Sequence, residues 1–306
     1  MEPRRVLVTG GAGFIGGALV DTYRSAAEVR ILDVDTPESV PNDVEVIVGD
    51  VRDRETVDRA VAGVDVVFHQ AARVSVAASI DDPVGSHAVN ATGTLRILEA
   101  ARRHDARVVV ASSAAVYGDP ATVPVPETAR LAPTSPYGLD KLAADHYARL
   151  YNDLYGLDTV ALRYFNVYGP GQSGGDYAGV IEVFLEQARR GDPITVHGDG
   201  GQTRDFVHVD DVVRANRLAA ETDHVGVAYN VGTGESTSVV RLAERVRDAV
   251  GSDSPVVHTG AREGDIRHSR ADVSRAADRL GYEPTVGLDT GLETLVDATQ
   301  PPATDG

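Results

Sequence analysis

The chain of 306 residues has a net charge of −17 and contains neither cysteine nor tryptophan. Its length suits one compact unit or two closely joined domains. Acidic residues run along the whole chain, which argues against nucleic acid and anionic membranes as partners. Zero cysteines exclude disulfides and thiolate metal sites, and no metal is expected. There is no run of ~18 apolar residues and no signal-peptide pattern, so a cytoplasmic location is expected. An acidic surface with one lysine and many Asp, Val and Ala suggests a halophilic protein, with ordinary solubility as the rival explanation. A halophilic fold should loosen as salt is removed; a melting temperature that is the same in molar and millimolar salt would refute the idea.

Taken in chain order, β-rich apolar runs alternate with helical stretches. Strands are expected over Arg5–Thr9, Val29–Val34, Val44–Gly49, Val64–His69, Arg107–Ser112 and Thr159–Phe165. Helices are expected over Phe14–Ala26, Arg54–Ala62, Val84–Arg103 and Tyr137–Tyr155. Runs such as Val108-Val109-Val110 are apolar on both faces, as buried parallel strands are. The pattern predicts an α/β Rossmann-like doubly wound parallel sheet. After Phe165 the rhythm breaks into shorter elements joined by Gly- and Pro-rich segments. Residues 1–165 are therefore expected to form the nucleotide-binding domain and 166–306 mainly a smaller C-terminal α/β substrate-binding domain. Some later elements should return to the sheet, and the tail 300–306 should fray.

The first strand runs into Gly10-Gly11-Ala12-Gly13-Phe14-Ile15-Gly16, a Gly-x-x-Gly-x-x-Gly pattern at a strand-to-helix junction. Gly10 permits the tight turn, Gly13 lets the backbone approach a pyrophosphate, and Gly16 allows close helix–strand packing. Asp33 ends the second strand, where a carboxylate can accept hydrogen bonds from the adenosine ribose. It would repel a 2′-phosphate, as would Asp35, so NAD is expected in preference to NADP. The other reading of Asp33 is a cap or turn residue. Asp50, at the end of the third strand, could meet the adenine amino group.

Twenty-eight arginines accompany a single lysine, Lys141, four residues after Tyr137. Residues i and i+4 share a helix face, so a cation there stands beside a phenol. Such a cation can lower the phenol's pKa from ~10 and make it a usable base. A planar guanidinium could not replace a compact ammonium between a phenol and a ribose. The bland alternative is a surface helix with one leftover lysine.

These motifs, taken with His69-Gln70-Ala71-Ala72, Asn90 to Thr94, Ser112 to Gly118, Arg163 to Asn166, Gly198 to Phe206, Tyr229 to Gly232 and Arg262-Glu263-Gly264-Asp265, give the chain a resemblance. It resembles the extended short-chain dehydrogenase/reductase family, in its NAD-dependent nucleotide-sugar epimerase/dehydratase branch, over nearly its whole length. The resemblance implies that Tyr137 exchanges a proton with the sugar hydroxyl and that Ser113 hydrogen-bonds the reacting oxygen. Lys141 would bind the nicotinamide ribose and lower the tyrosine pKa. It further implies cofactor contacts from Gly10, Gly13, Phe14, Ile15, Gly16, Asp33, Asp50, Val51, Gln70, Ala71, Ala72, Asn90, Tyr137, Lys141 and Phe165. Substrate contacts would come from Ser113, Asn166, Val180, His197, Arg204, Arg262, Asp265 and Ser269. The expected partners are a nucleotide-diphosphate sugar, UDP-sugars favoured, and a second copy of the chain.

Dehydratases of this branch carry Asp-Glu directly after the catalytic Ser/Thr, and decarboxylases carry a Glu two positions after it. Here Ala114 and Ala115 occupy those places and can neither give nor take a proton. What remains is 4-epimerisation, as in UDP-glucose 4-epimerases. A uronate epimerase, dehydratase or reductase is the alternative, and a non-catalytic NAD sensor is a further one. By alignment through Arg262 to Asp265, Ser269 takes a position where a tyrosine crowds the sugar 2-position in some relatives. A serine leaves room for N-acetylated sugars, unless His197 or Tyr177 closes the pocket.

Overall fold

A computed structural model of the chain describes residues 3–37, 41–172, 179–262 and 264–298. Tyr177, Glu263 and the tail 300–306 lie outside the described residues. In chain order the strands are β1 (Arg5–Thr9), β2 (Glu28–Asp33), β3 (Val44–Val48), β4 (Val66–His69), β5 (Arg107–Ser113), β6 (Thr159–Tyr164), β7 (Asn166–Tyr168), β8 (Ile194–His197), β9 (Thr203–Arg204), β10 (Phe206–His208), β11 (Val227–Val231), β12 (Thr237–Ser238) and β13 (Val256–Thr259). The helices are α1 (Phe14–Tyr23), α2 (Arg54–Val61), α3 (Val76–Asp81), α4 (Pro83–His87), α5 (Thr94–His104), α6 (Pro136–Tyr155), α7 (Val180–Arg190), α8 (Val209–Glu221), α9 (Val239–Val250), α10 (Ser274–Leu280) and α11 (Leu288–Ala298).

Seven strands form one parallel sheet in the order β11-β6-β5-β4-β1-β2-β3. Strand order reverses between β1 and β4, where a doubly wound sheet opens its ligand crevice. Successive residues point to opposite faces. Val6 and Val8 pack with Leu19 of α1 and Val212 of α8, while Leu7 packs with Val57 of α2 and Ile97 of α5. Both faces being covered explains why Val6, Leu7 and Val8 are apolar in succession. The late strand β11 joins this sheet beside β6. A third apolar cluster gathers α7, α9 and α11 around β8 and β10. Among the described residues, no helix is long and apolar enough to cross a membrane.

The six expected strands fall within two residues of their observed bounds, the usual uncertainty of element ends. The expected helix Val84–Arg103 is a larger departure. It divides into α4, a π-helical turn over Ala88–Gly93, and α5. Within that turn Asn90 gives its side chain to the Arg73 backbone: Oδ1 accepts from N–H at 2.8 Å and Nδ2 donates to the carbonyl at 3.0 Å. A π-turn re-aims one residue out of the helical register, and here it aims Asn90 at the segment after β4.

Candidate active site

The carboxyl ends of the parallel strands open into a cleft of about 1100 Å³. Gly10, Gly13, Phe14, Ile15, Gly16, Asp33, Asp50, Val51, Gln70, Ala71, Ala72, Ser113, Tyr137, Lys141 and Phe165 all line it. Asn90 lies behind this lining, tied to Arg73. Sequence reasoning missed Arg52, Arg73, Tyr164, Val167 and Gln172, which line it too. Gln172 follows the Gly169-Pro170-Gly171 turn, a signal of a loop shaped for close approach.

The glycine loop fits a bound pyrophosphate. Gly10 has φ +72°, and a Cβ there would meet the Ala71 nitrogen at 2.7 Å. A Cβ on Gly16 would sit 1.9 Å from the Gly10 carbonyl oxygen, so no side chain is possible. Helices α2, α3, α4 and α6 are capped by the side chains of Asp53, Ser75, Asp82 and Ser135, whereas α1 starts at Gly13 with no side-chain cap. Its first-turn N–H groups therefore face the cleft as anion donors.

Asp33 closes over this loop. Its Oδ2 accepts from the Ala12 N–H at 2.9 Å and its Oδ1 from the Asp35 N–H at 3.2 Å. Asp50, expected to meet the adenine amino group, is paired with Arg52. Arg52 engages both its oxygens, with Nη2 at 2.6 Å and the backbone N–H at 2.8 Å, and holds the carboxyl below its usual range. A base bound there meets an ion pair.

Ser135-Pro136 starts α6. The Ser135 hydroxyl accepts from the Gly138 N–H at 3.1 Å, and proline takes the first helical position. This places Tyr137 in the first turn and Lys141 one turn on. Ser113 ends β5, where its Oγ accepts from the Ala115 N–H at 3.1 Å. The methyl groups of Ala114 and Ala115 follow in a 3₁₀ turn. Lys141 Nζ donates to the Ala111 carbonyl at 2.8 Å and lies 6.0 Å from the Tyr137 ring centre. Burial pushes this lysine down to about 8, opposed by Asp140. Burial also pushes the Tyr137 phenol up from its ordinary value, and a hydrogen bond with Ser113 opposes it. The sequence suggests a tyrosine already lowered by its lysine. Among the protein's own groups, desolvation of the phenolate wins.

Beneath the cleft runs a buried polar chain. The Thr94 hydroxyl donates to the Asn90 carbonyl at 2.6 Å, so its oxygen accepts from His69 Nε2 at 2.9 Å. His69 Nδ1 then accepts from the Thr9 hydroxyl at 2.8 Å, and Thr9 Oγ1 accepts from the Ala71 N–H at 3.2 Å. The bonds of Thr94 thus assign the tautomer. Burial, and next the Lys141 charge, push His69 down to about 3, so it is neutral near neutral pH.

Apart from Ser113, the residues expected to hold substrate do not line this cleft. Several gather instead where the smaller strands meet. Arg204 pairs with Asp265, and its Nη1 donates to the Thr203 carbonyl at 2.8 Å. Burial pushes the Arg204 guanidinium down while Asp265 supports it. The Ser269 N–H donates to the Thr203 carbonyl at 3.1 Å, and the Asn166 N–H to the Asp205 carbonyl at 3.0 Å. Asp205 is fully buried and accepts from the Thr233, Gly234 and Ala271 N–H groups and the Thr233 hydroxyl, joining this region to the end of β11. Thr259 Oγ1 lies 3.0 Å from His197 Nδ1 at the β8–β13 edge. Arg262 is exposed, and Val180 opens α7.

Known proteins resemble this chain over most of its length. Residues 6–232 match the NAD dependent epimerase/dehydratase family. UDP-glucose 4-epimerase of Mycolicibacterium smegmatis is 39% identical over 306 aligned positions, covering 96% of this chain and 97% of that protein. The structure of UDP-N-acetylglucosamine 4-epimerase from Methanobrevibacter ruminantium, in complex with UDP-N-acetylmuramic acid, superimposes with a TM-score of 0.92 at 34% identity, covering 97% and 98% of the two chains. Thermus thermophilus UDP-glucose 4-epimerase in complex with NAD gives 0.88 at 38% identity, covering 96% and 98%. With its glycine cradle, its seven-stranded parallel sheet and a sequence match spanning most of its length, this chain belongs to the NAD-dependent epimerase/dehydratase family.

Proposed function

We propose that the chain is a NAD-dependent nucleotide-sugar 4-epimerase that interconverts UDP-glucose and UDP-galactose through a transient 4-ketosugar. The observation that carries this reading is the 3₁₀ turn that follows Ser113. Ala114 and Ala115 offer only methyl groups where elimination or decarboxylation would need an acid or base. Bound in the cleft, NAD supplies a hydride acceptor that each cycle restores. Tyr137 takes the proton of the sugar 4-hydroxyl and returns it, Ser113 holds the reacting oxygen, and Lys141 holds the nicotinamide ribose. Asn90 braces the segment beneath the cofactor through Arg73. Arg204 and Arg262 counter the charge of the substrate diphosphate, which the acidic protein would otherwise repel, and Asn166 offers the nucleotide part a neutral hydrogen bond. Asp265, paired with Arg204, completes this group.

The test is incubation with UDP-, dTDP- and GDP-sugars in molar salt, with products identified by NMR. Epimers without net NADH formation support the reading. Stoichiometric NADH would instead indicate a dehydrogenase.

The cofactor preference is attributed to Asp33. Asp33→Asn keeps an acceptor for the Ala12 N–H but removes the charge. The ratio of NAD to NADP affinity should narrow by at least about tenfold, ~1.4 kcal/mol; equal ratios in the two proteins would exclude this role.

The substrate range is proposed to include UDP-N-acetylglucosamine and UDP-N-acetylgalactosamine, with Ser269 as the gate. A tyrosine there would overpack the pocket by ~1–3 kcal/mol. Ser269→Tyr should therefore lower kcat/KM for the N-acetylated pair by roughly 5- to 150-fold relative to the plain pair. Rejection of N-acetylated sugars by the wild type would refute the gate.

A homodimer is also proposed. Val84 of α4 and Leu139, Leu150 and Leu154 of α6 form an exposed apolar face on helices that touch each other. Sedimentation at molar salt tests it.

A further inference from the structure

Asp205 directly follows Arg204 and has no part in the proposed chemistry, yet its side chain is fully buried. Both carboxylate oxygens are filled. Oδ1 accepts from the Thr233 N–H at 2.8 Å and from the Thr233 hydroxyl at 2.7 Å. Oδ2 accepts from the Gly234 and Ala271 N–H groups, each at 3.0 Å. Burying a carboxylate is costly unless its oxygens are hydrogen-bonded, and here none of the four donors carries a charge.

An amide of the same shape does not fit this arrangement. The Thr233 hydroxyl accepts from the Glu235 N–H at 3.1 Å, so its own proton is left for Asp205. A backbone N–H cannot become an acceptor. Asparagine would set its NH₂ group against the Thr233 N–H in one orientation, and against the Gly234 and Ala271 N–H groups in the other. Position 205 therefore calls for acceptors at both oxygens, which a carboxylate supplies.

Three other segments meet on this residue. Thr233 and Gly234 follow β11 of the main sheet. Ala271 packs in one buried cluster with Phe165, which lines the cofactor cleft. The Asp205 carbonyl accepts from the Asn166 N–H at 3.0 Å. Ser269, two residues before Ala271, donates its N–H to the carbonyl of Thr203, two residues before Asp205. Asn166, Arg204 and Ser269 thus each lie within two residues of Asp205 or of a residue bonded to it.

We propose that Asp205 is a positioning residue of the substrate half of the site: its carboxylate fastens Ala271 to the chain after β11 and its carbonyl fastens Asn166, so that Asn166, Arg204 and Ser269 keep a fixed spacing. The consequence for substrate rests on the roles proposed above for those three residues; the fastening itself does not.

Thr233→Val removes one of the four donors, and Thr233→Ser keeps them all. NAD-saturated protein in molar salt is titrated with UDP in a calorimeter. Thr233→Val should bind UDP about tenfold more weakly than the wild type, and Thr233→Ser within about twofold of it. NAD affinity should stay within about twofold in both variants, and KM for UDP-glucose should rise in Thr233→Val with kcat within about threefold. In Thr233→Val, amide hydrogen exchange should quicken at Asn166, Ser269 and Ala271 but not at Val109 in the main sheet. Asp205→Asn should show the same pattern more strongly; if it does not fold, the two Thr233 variants decide. Unchanged UDP affinity in Thr233→Val, equal losses of UDP and NAD affinity, or equally quickened exchange at Val109 overturns the proposal. A wild type that binds no UDP would defeat the substrate roles instead, and the exchange at the three amides would then decide this inference alone.

Discussion

Replacing Tyr137 with phenylalanine should lower epimerase turnover by about 10²–10⁴-fold while leaving fold and NAD affinity nearly unchanged. The ring and its place in α6 survive, because the position is set by the Ser135 cap and by the Tyr137 N–H donating to Ser79 Oγ at 3.1 Å. What is lost is the hydroxyl that hydrogen-bonds with Ser113 in the cleft. Burial raises the phenol's pKa and the hydrogen bond with Ser113 opposes it. Turnover of the wild type should consequently rise with pH into the alkaline range, and Tyr137→Phe should lose that rise along with its rate. Near-normal turnover in the variant would exclude Tyr137 as the base.

The largest loss of stability is expected from Asp145→Ala. Arg163 is 2% exposed and its partner Asp145 fully buried; Nε donates to Oδ2 at 2.8 Å and Nη2 to Oδ1 at 3.2 Å. Removing one member of a buried pair strands the other and costs about 3–5 kcal/mol. The two truncations are not equivalent. Without Arg163, Asp145 keeps Arg149, whose Nε donates at 2.9 Å from a partly exposed side chain. Without Asp145, Arg163 keeps only the Tyr117 hydroxyl at 2.9 Å and the Glu127 carbonyl at 3.1 Å, neither of them an anion. Arg163→Met should therefore cost less than Asp145→Ala, and replacing both with apolar residues should recover part of the loss. Denaturant titration at one fixed salt concentration measures all three; equal stability of Asp145→Ala and wild type would show that the pair contributes nothing. The same network extends from Tyr117 to Asn230, where the phenol donates to Oδ1 at 2.6 Å, so it also joins the segment after Ser113 to β11. Asp145→Ala should loosen the site together with the fold.

Much of the cofactor side of this protein is legible in the sequence because its signals are local. A strand buried on both faces must be apolar throughout, as Val108 to Val110 are. The loop between β1 and α1 must lack side chains, because a Cβ at Gly16 would overlap the Gly10 carbonyl. A tyrosine and a lysine four apart after a Ser-Pro cap must share one helical face. None of these depends on what lies far away in the chain. The remainder depends on distant partners. Val84–Arg103 has the periodicity of one helix, and only the Arg73 backbone, reached by Asn90, accompanies its break into a π-turn. Asp50 reads as a free carboxylate until Arg52 folds back on it. Arg204 and Asp265 are 61 residues apart, and nothing local announces that they pair. The lysine four residues after Tyr137 predicts a lowered phenol, but a pKa is set by burial as much as by neighbours, and burial is a property of the whole packed chain. The sequence by itself determined the parallel sheet, the glycine loop and the sharing of one helical face by Tyr137 and Lys141; Ser113 comes beside them because α6 packs on β5. Only the tertiary structure decided which charges are engaged and which stay free, because pairing and desolvation arise from segments that meet only on folding.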